Sequence, residues 1–308
     1  MKPRHLNRLG ASLLLLLPAC TADTGRSVQN GGNPAALEAR LDSVIDASGA
    51  EVVAVYYRSL AEDGDSVTID ADVRMHAAST MKVPVMMRLF LDHQEGIRSL
   101  DSTMPVKRTF YSIVDGSTYD LPPESDSDTT FYGRVGEEAT IRSMVDRMIT
   151  WSSNLATNIL IEVAEPARIE TMLARVGADS MSVLRGVEDL KAFEAGLSNT
   201  TTARGLGATM AAVAGSELFT EESRQQMLDI LSRQHFTDGI PAGVPESVRV
   251  ANKTGWITGI NHDAAIVFPR DAPPYVLVVM VRGHPAEDEG EAMAAELSRI
   301  VWEYHTRS

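Results

Sequence analysis

The sharpest chemical signal in this chain is the run Ser79-Thr80-Met81-Lys82. A serine hydroxyl is a weak nucleophile at neutral pH and needs a base within hydrogen-bond reach. Residues three apart share one face of a helix, so a helix beginning near Ser79 lets Lys82 serve as that base. Pro84 is tolerated there, because the amides of a first turn have no intrahelical partner. The same helix N-terminus aims free amides at a developing oxyanion. A lysine acting as base must be neutral, and burial together with a neighbouring cation depresses its pKa.

Two further short motifs follow. Ser152-Ser153-Asn154 lies between two helical stretches, and Lys253-Thr254-Gly255 ends a β-branched stretch. Lys253 can supply the neighbouring cation and attract a substrate carboxylate. Ser152 can relay a proton between Lys82, Lys253 and a leaving nitrogen. Asn154 can hold a substrate amide, and Thr254 and Gly255 let a substrate lie along a strand edge. The chain has only five lysines, Lys2, Lys82, Lys107, Lys191 and Lys253. Two of the four beyond the leader therefore fall at motif positions.

In this order the motifs resemble the Ser-x-x-Lys, Ser-x-Asn, Lys-Thr-Gly set of the class A-type serine β-lactamases, within the serine β-lactamase and D,D-peptidase superfamily. The resemblance covers about 35–305. It includes Met148-Ile149-Thr150 ahead of the second motif, Thr200-Thr201-Thr202 after the omega loop, Trp256 after the third motif, and His262-Asp263-Ala264-Ala265-Ile266-Val267. It implies an α+β fold, an α/β sandwich in which a five-stranded antiparallel sheet is flanked by helices and joined to an all-helical lobe. It implies an oxyanion hole made by the amides of Ser79 and Trp256, and a β-lactam opened through an acyl-Ser79 intermediate by a monomer without cofactor or metal. Two positions depart from the family pattern. Ser153 stands where aspartate is usual. The omega loop reads Leu184-Arg185-Gly186-Val187-Glu188-Asp189-Leu190-Lys191, with Glu188 as candidate for the glutamate that activates the deacylating water and no asparagine after Leu190. Without a working carboxylate the acyl-enzyme would persist, as in penicillin-binding proteins. A D,D-peptidase acting on peptidoglycan stem peptides is therefore the alternative, and a non-catalytic lipoprotein binding cell-wall fragments a third reading.

The elements that must position these residues are legible in outline. Asn33-Pro34 reads as an N-cap with proline in the first turn, and Leu37, Leu41, Val44 and Ile45 follow at helical spacing. Stretches 51–57 and 66–70 read as strands, with a turn at Asp63-Gly64, and 247–253, 264–268 and 275–281 as three more. The middle is helical: Ile141, Val145, Met148 and Ile149 share one face, and Leu155, Ile159, Leu160 and Val163 another, with Asn154 placed to cap the second. A last helix, 290–304, has one apolar stripe. A sheet lobe at about 34–75 and 216–308 thus encloses a helical lobe at about 76–215, making one serine hydrolase domain over 34–308. The polar stretch 108–136, with Asp126 and Asp128, reads as a solvated insertion. It lacks the glycine and terminal glutamate of a known Ca²⁺ loop.

Lys2, Arg4 and Arg8 followed by Leu13 to Leu17 make 1–19 a signal peptide, since the apolar run is far short of the roughly 20 residues that span a bilayer. Cys20, the only cysteine, follows Leu17-Pro18-Ala19, which resembles a lipobox and implies lipidation of Cys20. Residues 20–33 then form a tether. An exported periplasmic or cell-envelope protein, anchored through Cys20, is expected. With one cysteine no internal disulfide can form. Removing 1–19 takes the formal charge from −14 to about −17, which argues against nucleic acid as a partner. The seven histidines form no HxH or HExxH pattern, which argues against a zinc hydrolase, and His76, just ahead of Ser79, reads as structural. Fourteen methionines read as core filler, and Trp256 as either pocket lining or strand packing. Arg58, Arg249 and Arg282 are all candidates for a substrate carboxylate.

Overall fold

The structure is a computed structural model that describes residues 32–286 and 289–307. Cys20, the leader and most of the tether lie outside the described residues. The chain opens with α1 (Pro34–Ser48), where Asn33 accepts a hydrogen bond from the Ala35 amide and Gly49 closes the helix at φ 69°. Strands β1 (Val52–Ser59) and β2 (Ser66–Ile69) follow, then the two-residue β3 (Met75–His76). A 3-10 turn, Ala78–Met81, leads into α2 (Lys82–Gln94).

The next stretch carries β4 (Thr103–Pro105), β5 (Thr109–Tyr111), β6 (Thr118–Asp120) and β7 (Glu138–Thr140). The helices α3 (Ile141–Thr150), α4 (Asn154–Ala164), α5 (Pro166–Arg175) and the short α6 (Leu190–Glu194) come next. After β8 (Thr200–Thr201), helices α7 (Ala203–Gly215) and α8 (Glu221–Leu231) continue the helical layer past the boundary expected near 215. The chain returns through β9 (Arg249–Ile257), β10 (Ile260–Phe268), β11 (Tyr275–Arg282) and α9 (Glu289–Arg307).

The main sheet has five strands in the order β2-β1-β11-β10-β9, all antiparallel, the architecture the motif resemblance implied. Strand alternation divides the core. Val53, Val55 and Tyr57 of β1 join Leu277, Val279 and the helices α1 and α9 through Leu37, Leu41, Leu297 and Val301. Ala54 and Tyr56 turn the other way, with Val276, Val278 and Met280, onto the helical layer. Because both faces of the sheet are covered, β11 is apolar along nearly its whole length. Each such side chain, fully buried, contributes about 1.5–3 kcal/mol. Gly207 of α7 meets the sheet closely, a Cβ there falling 2.3 Å from the Tyr56 ring. The third motif lies inside β9, which runs on past Lys253 to Ile257, and β9 is an edge strand.

The stretch 108–136 corrects the expectation of a solvated insertion. Phe110, Leu121 and Phe131 are buried in the core, and Asp126 and Asp128 are buried as well. Periodicity did not reveal this, because three short apolar anchors separated by polar residues carry no helical or strand repeat.

Candidate active site

Ser79 sits on the 3-10 turn, so Lys82 opens α2 three residues later. The turn is held from both sides. The His76 ring accepts from the Ala78 amide through Nδ1 at 3.0 Å, and the Ala77 amide donates to the Asn199 carbonyl. Ala78 has φ 46°, a conformation that costs a non-glycine residue about 1 kcal/mol or more and needs such support. His76 is therefore structural, as its position suggested. Against this turn lies the free edge of β9. A Cβ added to Gly255 would fall 2.9 Å from both the Ser79 and Thr80 amide nitrogens. Only glycine allows so close an approach.

Lys82 is fully buried and points toward the second motif. Its Nζ donates to the Ser152 carbonyl at 2.6 Å, to Ser152 Oγ at 3.1 Å and to Asn154 Oδ1 at 2.8 Å. Lys253, also fully buried, reaches the same hydroxyl from β9, donating to Ser152 Oγ at 3.1 Å and to the Thr254 carbonyl at 2.8 Å. The Ser79 hydroxyl makes no hydrogen bond among the described residues. The direct serine–lysine contact expected from the spacing is thus replaced by a lysine–Ser152–lysine bridge, because Ser152 and Asn154 together offer the Lys82 ammonium three acceptors.

The protonation chemistry follows from this bridge. Burial pulls the Lys82 pKa from 10.5 down to about 7, opposed by the negative charge of Asp126. Burial also drives Lys253 well below its ordinary value, helped by the Lys82 charge and opposed by Asp263. A hydroxyl has two lone pairs and one proton. Both Ser152 lone pairs accept from lysines, so its proton is directed away from both. Asp263 is buried, accepts from Asn252 Nδ2 at 3.1 Å and the Ile240 amide at 2.8 Å, and is pushed up to about 6 by burial.

The helix after the second motif starts one residue earlier than its expected cap. Ser153, not Asn154, is the N-cap of α4, its Oγ accepting from the Ala156 amide at 3.3 Å. Asn154 is left free to orient Lys82. Ser152 is in left-handed backbone at φ 56°. Glu188 shares that property at φ 62°. It is half-buried on a loop that Asn158 ties down, Asn158 Nδ2 donating to the Val187 carbonyl at 2.9 Å and the Val187 amide to Asn158 Oδ1 at 2.6 Å. The Glu188 carboxylate makes no hydrogen bond among the described residues, and its charge is felt by Tyr119 and Arg185. Asp189 caps α6 and accepts from the Ile113 amide at 2.9 Å, so the β5–β6 hairpin braces the residue next to Glu188.

Trp256 is more than half exposed near the end of the edge strand β9. Arg249 and Arg282 are paired with Asp229 and Glu51 at 2.7 Å and 2.9 Å, away from the lysine pair. Among the described residues no three His, Cys, Asp or Glu side chains gather as a metal site, and no helix is long and apolar enough to cross a membrane. Sequence reasoning missed Asp126, Asn158 and the stack of Trp151 on His235 at 3.7 Å. Each acts across a long stretch of chain and leaves no spacing signal.

The profile of the family described as "Beta-lactamase enzyme family" matches residues 36–305. The chain belongs to this family. Among its relatives, a β-lactamase of Bacillus licheniformis is 27% identical over 77% of this chain and 74% of its own length. One of Streptomyces fradiae is 26% identical over 99% of this chain and 98% of its own. Among solved structures, an ancestral class A β-lactamase superposes with TM-score 0.73 at 25% identity, covering 87% of this chain and 99% of its own. The structure of PBP-A superposes with TM-score 0.77 at 23% identity, over 89% of this chain and 97% of its own, a likeness of fold. Within the family this β-lactamase-like chain is of the class A serine type.

Proposed function

We propose that this protein hydrolyses β-lactams through an acyl-Ser79 intermediate. The observation that carries the proposal is the sharing of Ser152 Oγ by two fully buried lysines with depressed pKa values. Ser79 Oγ attacks the lactam carbonyl carbon, and its proton passes to neutral Lys82. The amides of Ser79 and Trp256 hold the oxyanion. As the C–N bond breaks, Ser152 gives its outward proton to the leaving nitrogen and is reprotonated from the lysine pair. Lys253 and Thr254 receive the substrate carboxylate, and Asn154 its side-chain amide. Glu188 then takes a proton from water, whose oxygen attacks the ester carbon, and Ser79 leaves with that proton. The named β-lactamase relatives support the substrate class.

Turnover of a chromogenic cephalosporin by the domain 34–308 tests this. Sustained hydrolysis is expected. One equivalent of product and then silence refutes it, and D-alanine release from a stem peptide would then mark a D,D-peptidase. Export and anchoring through a lipidated Cys20, with a monomeric catalytic domain beyond the tether, belong to the same proposal. Palmitate labelling that survives in Cys20→Ser would refute the anchor.

A further inference from the structure

The segment 122–132 reaches the second motif from 28 residues upstream. Asp126 accepts from the Asn154 amide at 2.9 Å with one carboxylate oxygen and from the Leu155 amide at 2.7 Å with the other. The Ala156 amide goes to Ser153 Oγ, and the Thr157 amide is the first to find a carbonyl of its own helix run, that of Ser153. The amides of Asn154, Leu155 and Ala156, which have no partner within the helix, are therefore all satisfied, two of them by Asp126 from outside it. The Ser125 carbonyl, next to Asp126, accepts from Asn154 Nδ2 at 2.7 Å. That contact fixes the amide flip, so Asn154 presents Oδ1 to Lys82 at 2.8 Å.

We infer that Asp126 is a positioning residue for the acylation step, holding the α4 N-terminus and the Ser125 carbonyl so that Asn154 and Ser152 face Lys82. This rests on the reading of Lys82 as the base. The observations point the same way three times. Asp126 is buried. It carries a negative charge at a positive helix end. It occupies the cap that Ser153, a neutral residue in the second motif, fills only in part. The loop behind Asp126 is itself anchored, since its Oδ1 accepts from the Asp128 amide at 3.0 Å and Asp128 is paired with Arg147 at 2.7 Å. The charged groups that act on Lys82 are Asp126 from this loop and Lys253 from β9, and the Tyr132 phenol stands beside Asp126.

The test uses ¹³C-labelled lysine in the exported domain, where few lysines must be assigned, together with the rate of penicillin acylation across pH. In Asp126→Asn the titration midpoint of Lys82 is expected to fall by about half a pH unit or more, because an anion that favoured the ammonium is gone. Plateau acylation is expected to slow about tenfold or more as Asn154 loosens. Thr220→Ala, which uncaps α8 through the lost Ser223 contact, serves as control and should move neither. An unmoved Lys82 midpoint, or acylation within twofold of the parent, overturns the inference. If Asp126→Asn does not fold, the double change Asp126→Asn with Ser153→Asp restores a carboxylate at the same helix end. It should fold with the parental midpoint, and a lowered midpoint in it overturns the inference. A parent that is never acylated would sink the reading of Lys82 as base, while the lysine titration still decides whether Asp126 acts on it.

Discussion

Lys82 gives the most quantitative expectation. It is fully buried, and burial outweighs the attraction of Asp126 to bring its pKa from 10.5 to about 7. A fall of that size corresponds to about 5 kcal/mol of preference for the neutral amine. At pH 7 about half the molecules hold a neutral Lys82, and each unit below that removes nearly tenfold of them. Acylation of Ser79 by a slowly released penicillin, followed by stopped flow, should therefore fall with a single proton on an acid limb near pH 7. At pH 5 about one per cent of the plateau rate is expected. The same number has a thermodynamic face. The folded state binds this proton less tightly than the unfolded chain, so the destabilisation is complete below pH 7 and is relieved as pH rises from 7 to 10.5. In Lys82→Met the relief is absent and the Lys253 pKa rises, since its neighbouring cation is removed. The stability of the parent relative to this variant should thus climb with pH across that window, by up to about 1.4 kcal/mol per pH unit from Lys82. Urea unfolding at pH 6.5, 8 and 9.5 measures it. An acylation rate flat from pH 8 to 5, together with a stability difference flat over the window, would refute a neutral-lysine base.

Three other changes divide the reaction. Glu188→Gln should leave acylation intact and slow deacylation about a hundredfold or more, so that intact-protein mass spectrometry shows one stable penicilloyl adduct; undiminished turnover would remove Glu188 from the mechanism. Gly255→Ala forces a methyl to 2.9 Å from the Ser79 and Thr80 amides. Acylation should fall about a hundredfold, as expected when oxyanion donors are displaced, with a stability loss of about 1–3 kcal/mol because the methyl meets backbone, and wild-type labelling kinetics would show that the strand edge is not part of the site. Asn158→Ala deletes two hydrogen bonds to Val187. It should cost about 2 kcal/mol in urea unfolding and slow deacylation more than acylation, whereas equal loss in both steps would mean that the loop does not serve Glu188 selectively.

Ser79, Lys82, Ser152 and Lys253 could be picked out from sequence because their spacing and chemistry are local: two residues within one turn, one on a loop and one on a strand. The sheet was legible for the same reason, as β11 and β1 are apolar runs whose alternation needs no distant partner. What was missed depends on pairings that the chain closes over long distances. Asp126 looked like any acidic residue in a polar run until 28 positions of chain brought it onto the α4 N-terminus. The serine–lysine contact was misjudged for a related reason. Helical spacing puts Lys82 on the face of Ser79, but it does not say which of several acceptors will win the ammonium. Ser152 and Asn154 win because they satisfy all three protons of a fully buried amine, and an unsatisfied buried donor costs about 1–3 kcal/mol. These three contacts are those of the protonated lysine. Losing one proton leaves the amine two N–H donors, enough for the Ser152 carbonyl and Asn154 Oδ1, so the donation to Ser152 Oγ is the one given up. The lone pair created in that step is what takes the Ser79 proton when the amine turns toward the nucleophile, while the Ser152 proton stays directed outward for the leaving nitrogen.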